Sequence, residues 1–226
     1  MHFIIISSPS GGGKTTLCNM LMNNHSSPVE SKVKFSISAT TRQKRDHETH
    51  GKEYFFLTKE NFQAMILQNE FLEYAEICGN FYGTPKSKIS KTHNTLFDID
   101  FQGFIQINEH SANNLLSIFL LPPSLATLQG RLEHRGDIPQ SVINDRMQNA
   151  ILDISHSKNY EYIITNHTID STFAQICAII DFKINGVASK IHDSTLQNTA
   201  FIQKLNTQNV DEYLKEAQLC TKPCTL

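Results

Sequence analysis

No stretch of this 226-residue chain comes near the roughly 20 consecutive apolar residues that a membrane-spanning helix requires, so no membrane role is expected. Charge of one sign is lacking too. Lys and Arg total 20 against 22 Asp and Glu, and a net −2 provides no basic field to draw nucleic acid. Cysteines are few, odd in number and scattered: Cys18, Cys78, Cys177, Cys220 and Cys224. That is not a disulfide framework; it suits reduced thiols in a cytoplasm. Cys220 and Cys224 lie close together but offer only two ligands, and the ten histidines contain no HExxH or comparable metal spacing. Met1-His2 leads straight into an apolar run, unlike a secretion signal, so a cytoplasmic location is expected. No internal repeat or low-complexity tract is visible.

What is present begins at once. The apolar run Phe3-Ile4-Ile5-Ile6 is followed by Ser8-Pro9-Ser10-Gly11-Gly12-Gly13-Lys14-Thr15-Thr16, and then by Leu17, Met20 and Leu21 at helical spacing. Consecutive glycines let a backbone fold around an anion with its N–H groups turned inward, and the next helix adds the positive end of its dipole. The segment is one residue short of the P-loop pattern, because Ser8 stands where the first glycine belongs. A side chain there is tolerated if the φ of Ser8 is negative. Ser8 to Thr16 are therefore expected to hold the phosphates of a nucleoside triphosphate, with Lys14 on the terminal phosphates and the Thr15 hydroxyl on Mg²⁺.

β-rich runs recur at Phe3–Ser7, Leu96–Asp100, Leu116–Leu121 and Tyr160–Thr165. Helix-period segments between or after them are marked by Leu125, Leu128 and Leu132, by Met147, Ala150, Ile151 and Ile154, and by Phe173, Ile176, Cys177 and Ile180. This alternation predicts an α/β fold with a parallel sheet covered on both faces. From 33 to 91 the rhythm breaks into short alternating pieces (Lys34–Ser38, Tyr54–Leu57), one helix (Phe62, Met65, Ile66) and turns, which reads as a small mixed insert. After Asn185-Gly186 the chain turns polar, with one last helix expected around Val210, Tyr213, Leu214 and Ala217.

Within the insert, Ser36-Ile37-Ser38-Ala39-Thr40-Thr41-Arg42-Gln43-Lys44-Arg45 places two arginines three residues apart, and guanidinium forks grip phosphate in a bidentate way. Then follow His50-Gly51-Lys52-Glu53-Tyr54-Phe55-Phe56, Phe71-Leu72-Glu73, Gly79-Asn80-Phe81-Tyr82-Gly83-Thr84 and Phe97-Asp98-Ile99-Asp100-Phe101-Gln102-Gly103. With these blocks, in this order and at these spacings, the chain from about Phe3 to Phe182 resembles the guanylate kinases. The resemblance implies a P-loop nucleoside monophosphate kinase fold. Its core would be 1–32, 92–123 and 157–184, with a GMP-binding insert at 33–91 and a helical lid at 124–156. These form one domain over 1–184, and a helical extension and tail covers 185–226. It also implies Mg-dependent transfer of the terminal phosphoryl group of ATP to GMP, with small-molecule nucleotides as the only partners and a monomer or homodimer as the assembly.

Residue roles follow from the same resemblance. Arg42, Arg45, Tyr54 and Tyr82 would hold the GMP phosphate; Ser38, Glu73, Thr84 and Asp98 would surround the guanine. A carboxylate such as Glu73 suits the N1–H and N2–H₂ donors of that base. Asp98 and Asp100 alternate at a strand end, with Asp100 assigned to the metal beside Thr15 and Asp98 to the guanine. Ser124 would cap a helix carrying Arg131 and Arg135, and these with Arg146 would cover the triphosphate. Lys14, Arg42, Arg131, Arg135 and Arg146 are the expected catalytic set. Asn166 matches the family's Asn near the adenine of the donor, but His167 and Thr168 replace the two acids that usually follow it. Some guanylate-kinase-like domains are non-catalytic peptide-binding scaffolds; those lack a working P-loop, whereas Lys14, Thr15 and the three lid arginines are all present here.

Overall fold

The computed structural model describes residues 1–23, 32–77, 79–111, 114–134 and 139–185. The C-terminal extension expected beyond Asn185, Arg135, and Cys78, Cys220 and Cys224 lie outside the described residues.

The element order is β1 (Phe3–Ser7), α1 (Lys14–Asn23), β2 (Val33–Phe35), β3 (Ala39–Thr40), β4 (Phe55–Phe56), α2 (Lys59–Leu67), β5 (Phe71–Ile77), β6 (Asn80–Pro85), β7 (Asn94–Asp98), α3 (Phe101–Ser111), β8 (Leu115–Leu121), α4 (Leu125–Glu133), α5 (Gln140–Ser155), β9 (Tyr162–Thr165) and α6 (Ile169–Asn185). A five-stranded sheet has the order β2-β7-β1-β8-β9, and a four-stranded sheet the order β4-β3-β6-β5. β2 runs parallel to β7 and β8 parallel to β9. β8 is buried along its whole length, LLSIFLL, which is why it reads as a continuous apolar run rather than an alternating one.

The described residues fall into two compact units, 1–5 with 32–115, and 6–23 with 116–185. In the first, β3 pairs parallel with β4 and antiparallel with β6, which pairs antiparallel with β5. α2 packs Phe62 onto this sheet against Ala39 and Phe71, with Phe62 stacked on Phe71 and Phe81 at ring distances of 4.3 and 5.4 Å. Thr58 caps α2 by accepting from Asn61 N. α3 is tied to β5 through Gln106, which accepts from Tyr74 N at 3.1 Å and donates to Tyr74 O at 2.7 Å. The strand expected over Lys34–Ser38 lies at Val33–Phe35 and joins the parallel sheet, with Val33 opposite Asn94, so the mixed sheet starts only at β3.

In the second unit α1 packs on α6, and α4 on α5 through Leu128, Leu132, Ile143 and Ala150. Ser124 caps α4, accepting from Thr127 N at 3.0 Å, as its position before Leu125 predicts. No described helix is long and apolar enough to cross a membrane.

Candidate active site

β1 delivers the chain into the loop and α1 takes it away. Ser7 ends the strand buried, and Lys14 is the first residue of the helix. Between them the backbone reverses, with Gly12 N donating to Pro9 O at 2.9 Å. Gly11 and Gly13 have φ of +91° and +95°, in the left-handed region that costs glycine nothing. Space forbids side chains as well: a Cβ on Gly13 would stand 2.6 Å from Asn166 Nδ2, and one on Gly12 2.8 Å from Ser8 Cβ. Ser8 itself is not left-handed, since Asn69 is the one described non-glycine residue with positive φ. Its Oγ donates to Pro9 O at 3.1 Å, so the serine at the first glycine position is accommodated by a local bond.

α4 lies against this loop. Leu128 Cδ1 is 3.0 Å from where a Cβ on Gly11 would sit, and Arg131 Nη1 reaches Gly11 O at 3.5 Å, the outer limit of a hydrogen bond. Arg146 is half-buried on α5. Thr15 and Thr16 are exposed on the first turn of α1. Asn166, just past β9, is buried; its Nδ2 donates to Gly12 O at 2.9 Å and its Oδ1 accepts from Thr172 Oγ1 at 3.0 Å. Thr168 begins α6 as its cap, with its carbonyl accepting from Thr172 N and its Oγ1 from Ser171 N. A hydroxyl there does the capping work a carboxylate would do.

The first unit holds all the expected acceptor residues. Arg42 follows β3, and its guanidinium lies 5.6 Å from the ring centroid of Tyr54 and 5.8 Å from that of Phe56. The rings of Tyr54 and Tyr82 meet edge to face at 6.0 Å. Sequence reasoning did not anticipate Glu48. This carboxylate is buried and takes Arg42 in a two-armed grip, Nη1 to Oε2 at 3.0 Å and Nη2 to Oε1 at 2.7 Å, while Arg45 N donates to Oε2 at 2.8 Å. The hydrogen bonds from Arg42 hold the Glu48 carboxyl down to about 2, and Glu48 in turn raises the guanidinium of Arg42. The available signal was one of two acids, with Asp46, in the loop after Arg45. Arg45 is exposed.

Glu73 and Thr84 face each other in the β5–β6 register, both buried, and Thr84 Oγ1 donates to Glu73 Oε1 at 2.6 Å. The first turn of α3 comes so close that a Cβ on Gly103 would lie 2.5 Å from Glu73 Oε2. The same Gly103 donates its N–H to Asp100 Oδ1 at 2.9 Å. Asp100 is therefore the cap of α3, two residues beyond the end of β7 at Asp98. Ser38 is half-buried and its carbonyl accepts from Phe55 N at 2.9 Å.

Among the described residues no group of three or more His, Cys, Asp or Glu could hold a metal ion. Mg²⁺ does not need one: it keeps much of its water and takes one or two protein oxygens alongside substrate phosphates. The Thr15 hydroxyl and the Asp100 carboxylate are hard oxygen donors of that kind, and the cap bond to Gly103 uses one Asp100 oxygen.

Comparison with known proteins gives a consistent answer. The family model described as "Guanylate kinase" matches residues 1–183. A guanylate kinase of Rhizobium meliloti is 39% identical over 182 residues, covering 79% of this chain and 81% of that protein. One of Ruegeria pomeroyi is 43% identical over 182 residues, covering 78% and 83%. One of Rickettsia bellii is 43% identical over 181 residues, covering 78% and 92%. The crystal structure of guanylate kinase from Anaplasma phagocytophilum superposes with a TM-score of 0.65 at 30% identity, over 92% of this chain and 95% of that one. The family model covers residues 1–183 and relatives 39% and 43% identical cover most of the chain, so the chain belongs to the guanylate kinase family.

Proposed function

We propose that this chain transfers the terminal phosphoryl group of ATP to GMP, giving ADP and GDP, and that the residues assembled in its two units divide the work between donor and acceptor. The observation that carries the acceptor assignment is Glu73. It is buried, fixed by the Thr84 hydroxyl and approached by the bare backbone of Gly103. A carboxylate offers only acceptors, and each oxygen takes more than one hydrogen bond, so the bond from Thr84 leaves it able to receive the N1–H and N2–H₂ of guanine. Adenine lacks both donors on that edge. A site built for such a pairing rejects a base without it by about 10⁴–10⁵.

Arg42, Arg45, Tyr54 and Tyr82 would take the GMP phosphate, with Glu48 positioning Arg42. Glu48 takes two of the five N–H groups of the Arg42 guanidinium and the Gln43 carbonyl a third at 2.7 Å, which leaves at most two to grip a phosphate. Ser38 and Asp98 complete the guanine side of the reading. Ser8 to Thr16 would hold the ATP phosphates through backbone N–H groups and Lys14. Thr15 and Asp100 would offer protein oxygens to a Mg²⁺ ion bound with ATP, which would supply charge neutralisation at the phosphates.

The GMP phosphate is the nucleophile, so no side chain needs to form a covalent bond. The transition state is loose, and the protein's task is alignment and charge stabilisation, for which Lys14, Arg131 and Arg146 are assigned. Arg135, assigned with them from the sequence, lies outside the described residues. Exclusion of water protects the phosphoryl group from hydrolysis.

Two substitutions read by calorimetry test this division. Lys14→Ala should abolish turnover and leave GMP affinity nearly intact. Arg42→Ala should weaken GMP by about tenfold or more, the loss of a charge-assisted bond, and leave ATP unchanged. Equal losses of both nucleotides in either variant would reject the assignment.

A further inference from the structure

Asn166 stands where the family resemblance puts a contact to the donor's base, yet both ends of its amide are engaged inside the protein. The side chain is buried, its Nδ2 donates to Gly12 O at 2.9 Å, and its Oδ1 accepts from Thr172 Oγ1 at 3.0 Å. Its backbone N–H is anchored to Leu121 O at 2.7 Å, at the end of β8. The orientation of the amide is set by chemistry: a carbonyl oxygen only accepts, so the atom facing Gly12 O must be the nitrogen, which leaves the oxygen for the Thr172 hydroxyl. Gly13, the next residue of the loop, approaches so closely that any Cβ would strike Nδ2.

The Gly12 carbonyl and the Gly13 N–H belong to one peptide plane. In a trans peptide they point in opposite directions, and no described peptide is cis. Drawing Gly12 O toward Asn166 therefore turns the Gly13 N–H away from it. We infer that Asn166 is a positioning residue for the phosphate loop: oriented by Thr172, it fixes the Gly12–Gly13 peptide plane so that the Gly13 N–H faces the donor phosphates, and it recognises no part of the nucleobase. This rests on the reading of Ser8 to Thr16 as the ATP phosphate site. Turning the amide toward a base would leave Gly12 O and the Thr172 hydroxyl, both buried, without their partners.

The test separates phosphate from base by using Mg-tripolyphosphate, which has no base, beside ATP. Affinities of both, and of GMP, are measured by calorimetry for the wild-type chain, Asn166→Asp and Thr172→Val, with melting temperatures. Asn166→Asp puts an oxygen against the Gly12 carbonyl and should weaken tripolyphosphate and ATP by the same factor, about tenfold or more. Thr172→Val is near-isosteric and removes only the orienting hydroxyl, so it should act in the same direction by about two- to fivefold. GMP affinity should stay within about twofold of wild type in both, on the same hydrogen-bond scale. ATP weakened with tripolyphosphate unchanged would make Asn166 a base-reading residue and overturn the inference. So would unchanged affinities for both, or an equal loss of GMP with a collapsed melting temperature. Failure of the wild-type chain to phosphorylate GMP from ATP would instead count against the proposed function, and the two failures appear in different experiments.

Discussion

Replacing Glu48 by Gln removes a charge while keeping the shape of the side chain. Three bonds converge on the carboxylate: Arg42 Nη2 on Oε1, and Arg42 Nη1 with Arg45 N on Oε2. The NH₂ of a Gln must replace one oxygen. Placed at Oε1 it faces one donor, and placed at Oε2 it faces two, so the better flip loses one charge-assisted bond. Such bonds contribute about 1.5–3 kcal/mol, and the lower end applies because the surrounding loop, Gln43 to His47, is exposed and water screens the pair. In wild type that free energy holds Arg42 in place before substrate arrives. In the variant GMP must supply it on binding, so KM for GMP should rise about tenfold, since about 1.4 kcal/mol is a factor of ten. KM for ATP should not move, and kcat should fall less than KM rises. Initial rates at varied GMP and at varied ATP give both numbers. The reasoning also fixes a pH dependence. The folded-state carboxyl is lowered from 4.5 to about 2, so its stabilisation is present above 4.5 and is lost as pH falls toward 2. Melting temperature should therefore drop more steeply over that window in wild type than in Glu48→Gln. An unchanged GMP KM together with parallel melting curves would refute the positioning role.

Two further substitutions probe the guanine side. Gly103→Ala puts a Cβ 2.5 Å from Glu73 Oε2 and 3.1 Å from its Cδ, so the carboxylate or α3 must shift; at an overpacking cost of about 1–3 kcal/mol, kcat/KM for GMP should fall roughly 5- to 100-fold with ATP affinity retained, and a wild-type value would show that Glu73 moves without consequence. Glu73→Gln exposes guanine's donors to an NH₂ on one arm, so kcat/KM for GMP should fall at least about tenfold and selectivity over IMP, which lacks the N2 amine, should narrow; unchanged selectivity at an unchanged melting temperature would make Glu73 a structural acid.

The parts of the fold that were legible in the sequence are those where a single physical rule decides. β1 and β8 are mostly buried and, apart from Ser7 and Ser117, apolar, and their limits were read to within a residue. The glycines of the phosphate loop announce a backbone that no side chain permits, and α4 to α6 show clean helical spacing. β5 and β6 were read only as motif residues and turns. Their inward positions include Glu73, Gly83 and Thr84, so the alternation that marks a strand is interrupted by the residues that serve the site. α3 was missed for a related reason: Gly103 sits in its first turn, where it disfavours a helix in order to admit Glu73. Glu48 and Thr172 were invisible because their partners, Arg42 and Asn166, lie six residues away in loops or turns whose closure no periodicity encodes. Asp100 was placed on a strand face, whereas the strand stops at Asp98 and Asp100 caps the next helix.

The most direct test of the central claim is a steady-state assay of phosphoryl transfer from ATP in the presence of Mg²⁺, with GMP, AMP, CMP and UMP as acceptors at equal concentration. A buried Glu73 held by Thr84 predicts GDP formation from GMP and, for AMP, a kcat/KM lower by about 10⁴ or more, with CMP and UMP no better. Comparable turnover of AMP, or no transfer to GMP at all, would contradict the account.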